Sequence, residues 1–214
     1  MGSQEEPFFG QNIREAYEIL KDMFKGRYNM RCGLIVGHKA NKPGACNTDE
    51  YNICEYQFND QLACDIYDYL KEKDSDVSIQ IIRRQTYEGL PSDVNNYAPD
   101  FCVSMHCNAA HPDYTGQWNG TETLYYHKSK KGKLMAEILQ KNIVGALEFK
   151  DRGILPRKTE DRGGYLLRYT DMPCIIAEPF FIDNNSAYKT VIDRYDKLIQ
   201  AYAKSIEEIA EAIQ

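Results

Sequence analysis

Apolar positions along this chain fall into two rhythms. Short, nearly unbroken runs occur at residues 32–36 (Cys-Gly-Leu-Ile-Val), 77–82, 101–105 (Phe-Cys-Val-Ser-Met), 121–126 and 174–177 (Cys-Ile-Ile-Ala). Runs of this length bounded by polar or turn residues read as buried strands. Elsewhere apolar residues return every three or four positions, which predicts helices. Ile13, Tyr17, Leu20 and Phe24 predict one over 11–25, stopped by Gly26. Phe58, Leu62, Ile66, Tyr69 and Leu70 predict another over 55–73, and Leu134, Ile138, Leu139 and Val144 a third. Tyr188, Val191, Ile192, Tyr195, Leu198, Ile199, Tyr202, Ile206 and Ile209 predict one long terminal helix. Residues 39–48, with Pro43 and Gly44, form a loop.

Strands that alternate with helices imply a sheet covered on both faces. The expected fold is therefore α/β: a single three-layer domain with a central, mostly parallel or mixed twisted sheet and helices on both faces. Residues 1–30 are expected to be a helical extension packed on a domain of residues 31–214. A chain of 214 residues is long enough for one such core, and no repeat or low-complexity tract divides it.

Charge narrows the partners. Lys+Arg 26 against Asp+Glu 32 leaves a formal net charge of −6, with the basic residues dispersed apart from 128–133 and the Arg83-Arg84 pair. A nucleic-acid surface is not expected from such a distribution. No stretch approaches the apolar length of a membrane span, so no membrane insertion is expected. Seven cysteines are an odd number without a regular framework, and the first residues carry neither a basic region nor an apolar stretch. The reading is synthesis in a reducing cytosol with no signal peptide, most thiols serving as small buried hydrophobes.

Three strand ends carry reactive side chains: Gly37-His38, Ser104-Met105-His106-Cys107-Asn108 and Ala177-Glu178-Pro179. Ligands of open α/β sheets bind where strands end, so these are better site candidates than the same residues along helices. The two-residue period puts Met105 and Cys107 on the opposite face from His106, which argues against a ligand set shared by His106 and Cys107. Asn108 shares the His106 face. A hydrolytic zinc site uses three protein ligands and an open position, so His38 and His106 require a third, with Asp49, Glu50 and Glu55 as candidates.

The order of these segments resembles the zinc-dependent N-acetylmuramoyl-L-alanine amidases of the amidase-3 type. Members carry Gly-His, then Glu followed four residues later by Asn, then Ser-x-His-x-Asn, then Glu ahead of a Phe-Ile-x-Asn run. Here the elements are Gly37-His38, Glu55 with Asn59, Ser104 to Asn108, and Glu178 with 180–184 (Phe-Phe-Ile-Asp-Asn). Pro43-Gly44-Ala45, Gly120-Thr121-Glu122, Leu167-Arg168 and Met172-Pro173 also resemble family segments, from about residue 32 to the end. The resemblance implies that His38, Glu55 and His106 bind one zinc ion and that Glu178 is the catalytic carboxylate. It implies hydrolysis of the amide between N-acetylmuramic acid and L-alanine in peptidoglycan or muropeptides, by a monomer. Asn108, Arg162 and Arg168 are the expected substrate-binding residues.

The chain departs from the pattern at Val36, at Lys39-Ala40 and at Phe180, where the family has Asp, Gly-Gly and Gly. A reshaped loop and an altered substrate preference are expected from these changes. Other readings of the same residues are a zinc peptidase or carboxypeptidase acting on stem peptides, a non-catalytic peptidoglycan-binding module and a non-haem iron oxygenase. Asn41 stands where a carboxypeptidase would carry Glu, three residues after His38. Action on the cell wall after release or export, as by a phage lysin or injected effector, accommodates an N-terminus without a signal.

Overall fold

The computed structural model describes residues 30–111 and 115–214. In chain order its elements are β1 (Arg31–Val36), β2 (Cys46–Asn47), β3 (Ile53–Cys54), α1 (Glu55–Glu72), β4 (Ser78–Arg83), α2 (Leu90–Tyr97), β5 (Phe101–Met105), β6 (Thr121–Tyr126), α3 (Lys130–Leu147), β7 (Asp151–Arg157), α4 (Gly164–Tyr169), β8 (Cys174–Glu178), α5 (Asn185–Asp193) and α6 (Tyr195–Ile213). The helix expected over 11–25 lies outside the described residues.

Six strands form one sheet in the order β4-β1-β5-β8-β6-β7. The pairs β4-β1, β1-β5 and β5-β8 are parallel, while β6 runs antiparallel to β8 and carries β7 parallel to itself. The sheet is thus mixed. Every residue of β5 and β8 is buried, which is why these segments read as unbroken apolar runs rather than alternating ones.

The two faces are covered unequally. Leu34, Val36, Phe101, Val103, Met105, Ile175 and Ala177 point to one side, where residues of α1, α3 and α6 such as Leu62, Leu139 and Ile206 complete the larger core. The alternate residues Ile35, Cys102 and Ile176 point the other way, onto Leu90 and Val94 of α2 and Leu166 and Leu167 of α4. Three long helices shield the first face and two short ones only part of the second. That difference leaves an opening on the second face beside the ends of β1, β5 and β8.

The fold differs from expectation in four respects. The terminal helix is interrupted at Arg194 (φ −119, ψ 19), whose guanidinium bonds the Leu147 carbonyl and Glu148 at the end of α3. Apolar periodicity runs straight through this break because both halves bury the same stripe. Strand β7 carries Gly153 and Pro156, two residues that argue against a strand. Among the described residues it pairs only with β6, and an edge strand accepts a proline because one row of its backbone groups is unpaired. Helices α2 (8 residues) and α4 (6 residues) are too short for a period to show.

The fourth difference concerns the thiols. Cys46 and Cys54 form a disulfide across the β2-β3 ladder, where they stand directly opposite each other. The expected reduced state therefore does not hold for this pair. Cys32, Cys102, Cys107 and Cys174 are free and buried, and Cys64 is free and half-buried. Among the described residues, no helix is long and apolar enough to cross a membrane.

Candidate metal centre

Gly37 ends β1 with its amide donating to the Met105 carbonyl (2.9 Å), so the exit of β1 lies against the end of β5. A Cβ on Gly37 would lie 2.5 Å from that carbonyl oxygen and 2.7 Å from the His106 ring. Only glycine permits this approach. His38 then takes a left-handed backbone (φ 65), which turns the chain sharply and brings its ring to 5.0 Å, centroid to centroid, from the His106 ring.

Glu55 reaches the same point from the first turn of α1. It is 1 % exposed, and its Oε2 lies 3.2 Å from His38 Nε2 and 3.4 Å from His106 Nδ1. Its orientation is locked by backbone donors: Ala45 N to Oε1 at 2.9 Å and Cys107 N to Oε2 at 3.1 Å. Ala45 immediately precedes Cys46 of the disulfide and Cys107 follows the β5 strand. Asn59, one turn further along α1, bonds the Glu55 carbonyl and approaches the Cys107 sulfur (3.7 Å), tying the start of the helix to the end of β5. The Glu-to-Asn spacing thus has a mechanical meaning.

Burial pushes the Glu55 carboxyl up, but the adjacent His106 and His38 rings outweigh it and hold it well below the ordinary carboxylate range. His106 is held below its ordinary value, chiefly by burial, against the opposing pull of Glu55. Both directions favour an anionic carboxylate beside a neutral imidazole, the forms that metal ligands require.

His38, Glu55 and His106 offer ligand atoms that all lie within 4.8 Å of one another. With zinc bonds of about 2.0–2.2 Å, the corners of a tetrahedron stand about 3.4 Å apart. The 3.2 Å and 3.4 Å separations from Glu55 Oε2 fit that figure. Among the described residues, the His38 Nε2 atom is buried with no aligned hydrogen-bond partner, as is Glu178 Oε2. Orphaned buried polar atoms are rare unless something else satisfies them.

Glu178 closes β8 and is 3 % exposed. Burial pushes its carboxyl up to about 8. Arg162 and Arg157 oppose that rise, while Glu55 and Glu122 add to it. The Arg162 guanidinium reaches only to 3.8 Å from Oε1 and is itself exposed. Glu178, His38, His106, Ser104 and Arg162 line one open cavity of about 190 Å³ on the thinly covered face, together with Arg84, Tyr87 and apolar residues including Ile35, Leu124, Leu166 and Ile176.

The remaining expected residues are placed elsewhere. Asn108 is buried behind the cavity, its side chain donating to Glu122 (3.0 Å) and its backbone bridging Phe180 and Ile182. Arg168 lies outside the cavity, over the rings of Tyr126 and Tyr169. Arg84 and Tyr87 were not singled out as site residues in the sequence. Their only signal was a basic pair at the end of β4, which carries no information about the side of the sheet it faces.

Against this geometry, the profile of the amidase-3 family, described as N-acetylmuramoyl-L-alanine amidase, matches residues 33–208. The chain belongs to the amidase-3 family. Its amidase-3 fold is shared with the N-acetylmuramoyl-L-alanine amidase from Clostridium difficile 630, at TM-score 0.76 and 23% identity over 86% of this chain and 98% of that one. An uncharacterized cell wall amidase of Bacillus anthracis is 34% identical over 95 residues, 41% of this chain and 16% of that protein. The N-acetylmuramoyl-L-alanine amidase LytC of Bacillus subtilis (strain 168) is 30% identical over 106 residues, 47% of this chain and 20% of that protein. The amidase-3 chain thus matches a fifth or less of the length of these two curated relatives.

Proposed function

We propose that the chain is a zinc-dependent amidohydrolase that cuts the amide between the lactyl group of N-acetylmuramic acid and L-alanine in peptidoglycan. One zinc ion per chain is held by His38, Glu55 and His106, and Glu178 is the general base. The observation that carries this reading is the orphaned oxygen of Glu178, a buried carboxyl of raised proton affinity in the same cavity as the histidines. A carboxylate balanced near neutral pH suits proton transfer in both directions.

When bound, zinc supplies Lewis acidity: it lowers the pKa of a coordinated water toward about 7 and polarises the amide carbonyl. Glu178 takes the proton from the attacking water and returns it to the departing alanine amine. The apolar wall of Ile35, Leu124 and Ile176 keeps bulk water from competing for that proton. Arg162, exposed at the cavity rim, is placed to draw a stem-peptide carboxylate toward the scissile bond. Glu55 is held by two backbone amides, so it is not free to shuttle protons and serves as ligand.

Mass spectrometry of purified muropeptides after incubation tests the assignment. Intact stem peptide with a new L-alanine amine, an unbroken glycan and loss of the reaction under chelation are the expected result. New reducing ends, or release of terminal D-alanine alone, would assign a glycosidase or a carboxypeptidase instead.

A further inference from the structure

Outside the cavity, the same face carries a row of contacting rings that the hydrolytic chemistry does not use. Tyr87 lines the cavity wall, with the Arg84 guanidinium 5.6 Å from its ring centre. Its ring meets Tyr165 of α4 at 5.6 Å, and Tyr165 meets Tyr169, one turn along the same helix, at 4.9 Å. Arg168 then lies 5.5 Å from the Tyr169 ring and 5.8 Å from Tyr126 at the end of β6. The row runs without a gap from the candidate metal centre along α4.

Two of these rings are open to solvent, while Tyr165 and Tyr126 are half-buried. Tyr87 is 40% and Tyr169 49% exposed, both among the most exposed large apolar side chains of the described residues. Hydrogen bonds anchor one of its phenols and the backbone at its outer end. Tyr165 Oη donates to the Glu88 carbonyl, Asn95 of α2 donates to the Tyr169 carbonyl, and the Asp171 amide donates to Asn95. Tyrosines held in place expose flat apolar area whose ordering cost is already met, which favours binding.

We propose that Tyr169 and Arg168, continuing from Tyr87 and Tyr165, form a platform on which sugar rings of the peptidoglycan glycan strand stack beside the scissile bond. Pyranose rings present a C–H face that packs on an aromatic ring and hydroxyl and amide groups at their edge. A row of phenols and guanidiniums matches both. Arg84 and Arg168 add positive charge along the row in a chain of net charge −6, complementary to a strand that bears acidic stem peptides. The proposal rests on the amidase reading and extends it from the single muramic acid residue at the cut to its neighbours in the strand.

The test uses the zinc-loaded full chain and two substitutions outside the cavity, Tyr169→Ala and Arg168→Ala, each checked for an unchanged melting midpoint. The wild type should bind a β-1,4-linked N-acetylglucosamine tetramer in a calorimetric or NMR titration, and each substitution should weaken it about fivefold, the loss of one aromatic or cation–ring contact. KM on a tetrasaccharide carrying stem peptides should rise by a similar factor, while kcat/KM on N-acetylmuramoyl-L-alanyl-D-isoglutamine stays within about twofold. Failure of the wild type to bind the tetramer, equal losses on both substrates, or tighter binding of a single-stranded oligonucleotide than of the tetramer would overturn the platform. Should neither substrate be turned over by the wild type, the amidase reading fails, and the tetramer titration still decides the platform on its own. If Tyr169→Ala unfolds, Arg168→Ala carries both measurements.

Discussion

Glu122 stands directly opposite Glu178 in the antiparallel ladder of β6 and β8, so two buried carboxylates meet across one pair of strands. Their surroundings separate them. Glu122 accepts from Arg152 Nε at 2.6 Å and from Asn108 at 3.0 Å, which satisfies its charge. Among the described residues, the one ion-pair partner of Glu178 is Arg162 at 3.8 Å, and one of its oxygens has no hydrogen-bond partner. Two carboxyls in one layer of the structure thus have different surroundings, one held by an arginine and an amide and the other left open toward the cavity.

Arg152→Ala should therefore destabilise the fold and shift the base. It leaves buried Glu122 with Asn108 but without its cation, a change that costs about 3–5 kcal/mol for a fully buried pair; because Arg152 is partly exposed and Asn108 remains, a loss of about 2 kcal/mol is expected. The urea midpoint at neutral pH measures it. Activity in the variant should move to higher pH, since more negative charge faces Glu178. A variant as stable as wild type would mean that water replaces the guanidinium.

Ligand and base should separate under substitution. His106→Ala should lose zinc by elemental analysis and with it the thermal stabilisation that metal confers. Glu178→Gln should keep one equivalent of zinc and the fold while turnover falls about 10²–10⁴-fold, because an amide cannot accept the proton. Full zinc occupancy in His106→Ala, or wild-type turnover in Glu178→Gln, would remove the residue from its role.

The metal-free chain should show a pH signature from Glu178. Its folded-state value of about 8 lies above the ordinary 4.5, so between those pH values the unfolded chain has released a proton that the folded chain retains. Stability then falls as pH rises across this window. Relative to Glu178→Gln in chelator, the melting midpoint of wild type should drop steadily from about pH 5 to pH 8 and level off outside it. A parallel pair of curves would show that the carboxyl is ionised throughout.

The disulfide should matter to the metal rather than to the core. Cys54 immediately precedes Glu55, and Ala45, the neighbour of Cys46, donates to the Glu55 carboxylate and accepts from its amide. Releasing the crosslink loosens the segment next to Cys46, where Ala45 holds Glu55, the proposed ligand, and Gly44 lies against the His38 ring. Cys46→Ser with Cys54→Ser, or reduction of wild type by a dithiol, should weaken zinc in a chelator competition by about tenfold, with a smaller effect on the melting midpoint of the metal-free chain. Unchanged zinc affinity in both would leave the crosslink without a role at the centre.

Much of this protein was legible in its sequence, for reasons that belong to single segments. The runs at 101–105 and 174–177 declare buried parallel strands because both of their faces are covered, and the stripe from Phe58 to Leu70 declares a helix because only one face is. The family pattern likewise named His38, Glu55, His106 and Glu178, since it records residue types in order. What decided the rest lies between segments that are far apart in the chain. Pro156 is compatible with a strand only because β7 has one neighbour, and the terminal helix breaks at Arg194 because the end of α3 is there to receive its guanidinium. Asn108 turns away from the cavity because Glu122 offers it a buried partner, and Arg168 rests on rings supplied by β6 and α4. The pairing of Cys46 with Cys54 needs the β2-β3 ladder to set them opposite each other. Hydrophobic period and motif order are properties of contiguous residues, whereas which polar group is satisfied, and which is left open for chemistry, depends on neighbours that only the folded chain brings within reach.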